Sequence, residues 1–218
     1  MKKTGASSFV VLWVAILAGC ASPRHGHTDS ASPAAAAVSA DDFARRGLAL
    51  AEAGQPQAAL RDLDTALLLD PRHAQATYDR AIVHHAAGQS AAAMADINRA
   101  VLLDPQNTRV RNARCVIQVA AERNDAGLKN CYHAMLMPGP VAEAQTAFGQ
   151  ALLLLGRPRE ALQAFDAALK AEPSHLTARY GRGIARQRTG DAEGNADVQE
   201  AMKVSPAAGR TFAAASAP

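Results

Sequence analysis

Aromatic side chains are scarce in this 218-residue chain, at one Trp, three Tyr and five Phe. Alanine, the best helix former, fills much of the sequence instead. No stretch alternates apolar and polar residues as a half-buried strand does, so an all-α fold is expected. Long hydrophobic runs are also missing. The one candidate, Phe9 to Ala18, is too short to span a bilayer as a stable helix. Nor is there a surplus of charge: the net value is +3, and without Lys2 and Lys3 the balance is 21 basic to 20 acidic side chains. Such a chain lacks the electrostatic footprint of a nucleic-acid binder. Catalytic patterns are absent as well. There is no His-Glu-x-x-His, no Gly-x-Ser-x-Gly and no phosphate-cradling loop, and Gly181-Arg182-Gly183 lacks the third glycine and preceding strand of a dinucleotide site. His84 and His85 are adjacent, so on a helix they point apart. Enzymatic activity, a small-molecule substrate, a cofactor and a bound metal are accordingly not expected.

What the chain does have is a period, of about 34 residues. Asp70-Pro71, Asp104-Pro105 and Glu172-Pro173 close similar runs, the second one period after the first and the third two periods after the second, and Ser205-Pro206 closes a weaker copy. Between them, small residues recur at Gly47, Ala59 and Ala66, at Ala81, Ala93 and Ala100, and at Gly149, Ala161 and Ala168. Small residues at fixed offsets let two helices approach closely, and Gly54-Gln55-Pro56 and Gly156-Arg157-Pro158 supply a stop and a start between them. These positions resemble the tetratricopeptide repeat. The resemblance implies a right-handed superhelix of about five helix-turn-helix hairpins over residues 41–206, followed by a short tail, 207–218. The third repeat, closed by Pro138-Gly139-Pro140 rather than by acid-Pro, is the least regular.

Ahead of the array, Lys2 and Lys3 precede the apolar run, which ends in Leu17-Ala18-Gly19-Cys20. This segment reads as an export signal and resembles the bacterial lipobox. The resemblance implies cleavage after residue 19, acylation of Cys20, and, with Ala21 rather than Asp following, placement on the outer membrane of a Gram-negative bacterium, facing the periplasm. Residues 20–40, with their Ala, Ser and Pro, have the composition of a flexible tether. His25-Gly26-His27 within it is read as solvated linker rather than a metal site.

Comparison of the repeats adds a second spacing. The interval from Arg46 to Asp62 returns unchanged from Arg80 to Asp96 and from Arg114 to Asn130, and it returns shortened by one position from Arg182 to Asp197. The fourth repeat has Phe148 and Ala164 there, losing both partners at once. An Arg–carboxylate bridge between the two helices of a hairpin accounts for this. Cys115 and Cys131, one position along from Arg114 and Asn130, are separated by the same interval. In an exported chain an even pair favours a disulfide, with two buried thiols packing as small apolar residues as the other reading.

The superhelix implied by the resemblance turns the first helix of each hairpin inward. This places Arg45, Leu48, Tyr78, Ile82, His85, Arg109, Asn112, Val116, Gln150, Leu153, Tyr180, Ile184 and Arg188 along a groove suited to a peptide, with Tyr and Arg as anchors. The chaperone-binding relatives clamp a carboxyl terminus with Lys, Asn, Asn, Lys and Arg. The matching positions here are Ala44, Leu48, Asp79, Arg109 and Ala113, which do not make that clamp. The expected role is a membrane-anchored scaffold for an envelope protein or peptide, similar in class to pilus-secretin assembly lipoproteins. The alternative is a permanent accessory subunit that uses its outer faces, since the chain end after Pro206 is read as leaving an apolar face uncapped.

Overall fold

The protein is described here by a computed structural model over residues 38–122, 125–206, 208, 209 and 212. Cys20, His25 and His27 lie outside the described residues. The helices are α1 (Ala40–Glu52), α2 (Pro56–Leu69), α3 (Ala74–Ala86), α4 (Ser90–Leu103), α5 (Thr108–Glu122), α6 (Asp125–Leu136), α7 (Val141–Leu154), α8 (Pro158–Ala171), α9 (Leu176–Thr189) and α10 (Gly194–Val204). Successive pairs form five hairpins. Each second helix packs on its own first helix and on the first helix of the next hairpin, and the odd-numbered helices also touch one another in a row. This is the all-α solenoid that the sequence period implies. No described helix is long and apolar enough to cross a membrane.

The period is visible in the helix ends. Ser39 opens α1 with a capping box to Asp42. The Nδ1 atoms of His73 and His175 accept from the backbone N–H of Ala76 and Ala178 at 3.2 Å, and Asn107 Oδ1 accepts from the N–H of Arg109 at 3.1 Å. Ser39, His73 and Asn107 follow one another at single-repeat intervals and His175 comes two repeats later, so these histidines serve as helix caps. The array thus starts at Ser39, inside the stretch assigned above to the tether. Within four hairpins the turn glycine is left-handed, with φ of 73° at Gly54, 71° at Gly88 and Gly156, and 83° at Gly190. The next residue's N–H returns 2.9 Å to a carbonyl five positions back, from Gln55 to Leu50 and likewise from Gln89, Arg157 and Asp191.

The core is divided by seam. Leu63, Ala66 and Ala76 close the first seam; Ile97, Ala100, Val110 and Ile117 the second; Val119, Cys131 and Ala151 the third. Phe165, Leu152 and Ala185 close the fourth, and Phe212 joins them. The expectation of an uncapped end is thereby corrected. Phe212 is fully buried, its ring centroid 6.0 Å from Phe165 and 5.3 Å from Tyr180. Space for it exists because Gly181 carries no side chain: a Cβ there would stand 2.7 Å from the Phe212 ring. Part of the assigned tail is therefore core.

Across each hairpin a small residue on the first helix faces a larger one on the second. A Cβ on Gly47 would approach Leu63 Cγ to 2.8 Å, and one on Gly149 would approach the Phe165 ring equally closely. In the third hairpin this place is taken by Cys115 and Cys131, with Cα atoms 4.8 Å apart. In the short fifth hairpin a Cβ on Gly183 would meet Val198 Cγ2 at 2.7 Å and the Gly194 carbonyl oxygen at 2.8 Å.

Beside these contacts run the arginines. Arg80 donates to both oxygens of Asp96 at 2.7 Å, and Arg182 donates to those of Asp197 at 2.7 and 2.6 Å. Arg46 Nη2 reaches Asp62 at 2.8 Å. Two of the three arginines also reach back across a seam, Arg80 to Asp64 at 2.7 Å and Arg182 to Asp166 at 3.5 Å. Arg157, just ahead of α8, reaches Asp125 on α6 at 3.2 Å. The third hairpin departs from the expected Arg114–Asn130 pairing. Asn130 Nδ2 instead donates to Gln118 Oε1, one turn further along α5, at 2.7 Å. A neutral amide lacks the charge that draws a guanidinium, and a neutral glutamine is within its reach.

Asp96 is 7 % exposed, so Asp96→Ala should destabilise by about 2 kcal/mol, Arg80 retaining Asp64 but losing its buried partner. Asp62→Ala should do less, because Arg46 is already solvated; urea midpoints of the two variants give the order. Phe212→Ala should lower stability by about 3 kcal/mol, whereas a loose tail would leave the urea curve unchanged.

Candidate functional site

A cleft of about 430 Å³ opens on the row of first helices. Seven of the residues expected in a groove line it: Tyr78, Ile82, His85, Arg109, Asn112, Val116 and Gln150. They come from α3, α5 and α7, whose side chains at single-repeat intervals share one face. The other six lie elsewhere. Arg45 is bonded to Asp42 on the exposed surface of α1, and Leu48 is exposed one turn further along the same helix. Leu153 is buried in the fourth seam, and Arg188 Nη1 donates to its carbonyl oxygen at 2.8 Å. Tyr180 and Ile184 pack against that same core, Tyr180 beneath Phe212. The cleft is thus a central pocket rather than a groove along the whole array.

The structure adds lining residues that the sequence reading passed over: Glu52 and Pro56 from the first hairpin, Glu143 and Thr146 on α7, and His175 and Thr177 from the fifth. The signal for three of them was the period itself. Glu143 and Thr177 stand one and two repeats after Arg109, and Thr146 stands one repeat after Asn112.

The floor is apolar, with Ile82, Val83, Val116 and Ile117 among the lining side chains. Over it the Arg109 guanidinium carbon lies 5.5 Å from the centroid of the Tyr78 ring, a cation–π arrangement. Tyr78 packs against the second seam, and burial raises its hydroxyl pKa, partly offset by Arg109. It is therefore structural as well as exposed to the cleft, and truncating it would disturb both. His85 has its pKa lowered by burial and is uncharged at neutral pH.

Asp79, beside Tyr78 in the chain, is 5 % exposed and accepts from Gln75 Nε2 at 2.7 Å. Burial pushes its pKa up to about 6, against the lowering effects of Gln75, Arg109 and His73, with Glu52 raising it slightly. Among the described residues no group of three or more His, Cys, Asp or Glu is placed to hold a metal ion. The arrangement offers an apolar floor with charged groups at its edge, which suits recognition of a ligand.

The family model of the tetratricopeptide repeat matches residues 44–108 and 146–210. The mouse FK506-binding protein-like protein is 47 % identical over 55 residues, 25 % of this chain and 16 % of that protein. Its human counterpart is 40 % identical over 74 residues, 32 % of this chain and 21 % of that protein. The chain spans about a fifth or less of the length of these curated relatives. Among solved structures, TTC0263, a thermophilic tetratricopeptide repeat protein of Thermus thermophilus, superposes with a TM-score of 0.65 at 20 % identity over 77 % of this chain and 92 % of that one. The pilF protein of Pseudomonas aeruginosa gives 0.55 at 18 % identity over 76 % and 74 %. These likenesses concern the fold.

The buried Asp79 generates a pH dependence of known sign. The folded chain holds its proton up to about pH 6, while in the unfolded chain the group ionises near its ordinary value of 3.8. Stability therefore falls as pH rises between these values, by up to about 3 kcal/mol. Asp79→Asn keeps the acceptor for Gln75 and removes the titration. The variant should melt above the wild type at pH 7, and the gap should close by pH 4; a gap independent of pH would contradict the assignment.

Proposed function

The chain belongs to the tetratricopeptide repeat family, and from that premise we propose that it is a membrane-anchored scaffold of the bacterial envelope that holds a peptide segment of a protein partner in its central cleft. The family consists in general of non-catalytic interaction modules, and its fold is that of a protein-binding scaffold. The observation that carries the finer reading is the cleft itself, formed where three successive first helices present Tyr78, Ile82, Arg109, Val116 and Gln150 to one space. In this proposal Cys20 carries the lipid and residues 20–40 hold the array away from the outer membrane, on its periplasmic side. An oxidising periplasm also suits a Cys115–Cys131 bridge, for which the 4.8 Å Cα separation is well placed.

A second reading, a permanent accessory subunit contacting partners through outer faces, is supported by a different observation. Leu68, Leu102 and Leu136 occupy the same place at the ends of α2, α4 and α6, each one repeat after the last, and are 81 %, 82 % and 65 % exposed. Large aliphatic side chains repeated in this way form a surface that a partner could cover.

The two readings separate by variant. Ala86 lines the cleft and is exposed, so Ala86→Trp fills the space without disturbing a seam. Partners recovered from detergent-solubilised envelope with the wild type should be lost with Ala86→Trp and with Arg109→Ala, and kept with the Leu68→Ser/Leu102→Ser pair. The reverse pattern would establish the accessory-subunit reading. In the same fractions, Cys20→Ala should leave the membrane; if it floats with membranes as the wild type does, the anchor assignment is wrong.

A further inference from the structure

Charge at the cleft is unbalanced. Arg109 is the arginine among its lining residues, and it is already engaged, lying over the Tyr78 ring and acting on the Asp79 carboxyl. Against this cation stand three carboxyl groups: Glu52 and Glu143 in the lining and buried Asp79 beside Tyr78. Neither histidine of the lining restores the balance. His85 is uncharged through burial, and His175 is engaged as the cap of α9, its Nδ1 accepting from the Ala178 N–H at 3.2 Å. Glu52 is the last residue of α1, where the carbonyl end of the helix adds partial negative charge. The floor between these groups is aliphatic, so a field of one sign acts there with little competing hydration.

On the reading of the cleft as a peptide site, we infer that the segment it takes is apolar and carries a lysine or arginine, whose cation is received by the Glu52 and Glu143 carboxylates. The aliphatic residues of the segment cover Ile82 and Val116, and the cation relieves the excess of negative charge. This is the opposite polarity to a carboxylate clamp. A free carboxyl terminus entering the cleft would meet Arg109 already occupied and two further carboxylates.

The test uses full-length protein and fluorescein-labelled peptides of one alternating leucine–alanine sequence, differing only at a central Lys, Gln or Glu, with binding read by anisotropy. The Lys peptide should bind about tenfold tighter than the Gln peptide or better, the range for a hydrogen bond to a charged group, and the Glu peptide weakest of all. In the Glu52→Gln/Glu143→Gln variant the Lys and Gln peptides should become equal while the affinity for the Gln peptide stays as in the wild type. Binding of the Glu or Gln peptide as tight as that of the Lys peptide overturns the charge assignment and leaves the cleft as the site. Binding unaffected by Ala86→Trp, or no binding by any of the peptides, overturns the cleft reading and this inference with it.

Discussion

Each hairpin depends on how closely its two helices approach. The pairs that meet at this contact, Gly47 with Leu63, Ala81 with Ile97, Cys115 with Cys131, Gly149 with Phe165 and Gly183 with Val198, set a small or medium residue on the first helix against its facing partner. A side chain cannot be added on the first-helix side of Gly149 without moving the buried ring of Phe165, nor on Gly183 without displacing backbone of α10. The constraint is steric before it is hydrophobic. Only when the helices are this close can the next residue back, Arg46, Arg80 or Arg182, reach a carboxylate on the second helix with its short fork.

Close pairing within hairpins then determines what the seams must do. Each hairpin leaves apolar surface on both sides, and the next hairpin covers one of them, so the core is a series of separate clusters rather than a single centre. Past α10, the last helix among the described residues, Phe212 covers Phe165 and Tyr180 as a next hairpin would. The first helices, facing one another across the seams, leave the central cleft between them as the space their small and medium-sized side chains do not fill.

Most of this could be read from the sequence because it repeats. The hairpins, their turn glycines, the Arg–Asp pairs and the Cys115–Cys131 juxtaposition all follow from comparing residues one repeat apart, or residues that share the interval between Arg46 and Asp62. What could not be read that way is what occurs once. Phe212 has no counterpart in another repeat, and nothing local marks a single aromatic in an alanine-rich end as buried. Asn130 breaks its own pattern, since removing a charge frees the side chain to choose Gln118. The cleft is shorter than the period implies because equivalent positions do not have equivalent surroundings. Leu153 stands two repeats after His85 and Tyr180 three repeats after Tyr78, yet the fourth seam and Phe212 enclose them. Glu143, one repeat after Arg109, follows from the same arithmetic.

The seams are not all joined in the same way. Arg80 with Asp64, Arg157 with Asp125 and Arg182 with Asp166 tie the first, third and fourth by charge, whereas the second is closed by Val110 and Ile117 on Ala93, Ile97 and Ala100 and by the Arg109–Tyr78 stack. Dissolved salt weakens exposed ion pairs by screening, while excluded salts such as sulfate favour apolar burial. Every seam also holds an apolar cluster, so concentrated sulfate favours burial in all four while weakening the ion pairs laid over the first, third and fourth. The joint beneath the cleft gains without that loss, and the ionic composition of the surroundings thereby moves the balance of stability along the solenoid toward its middle.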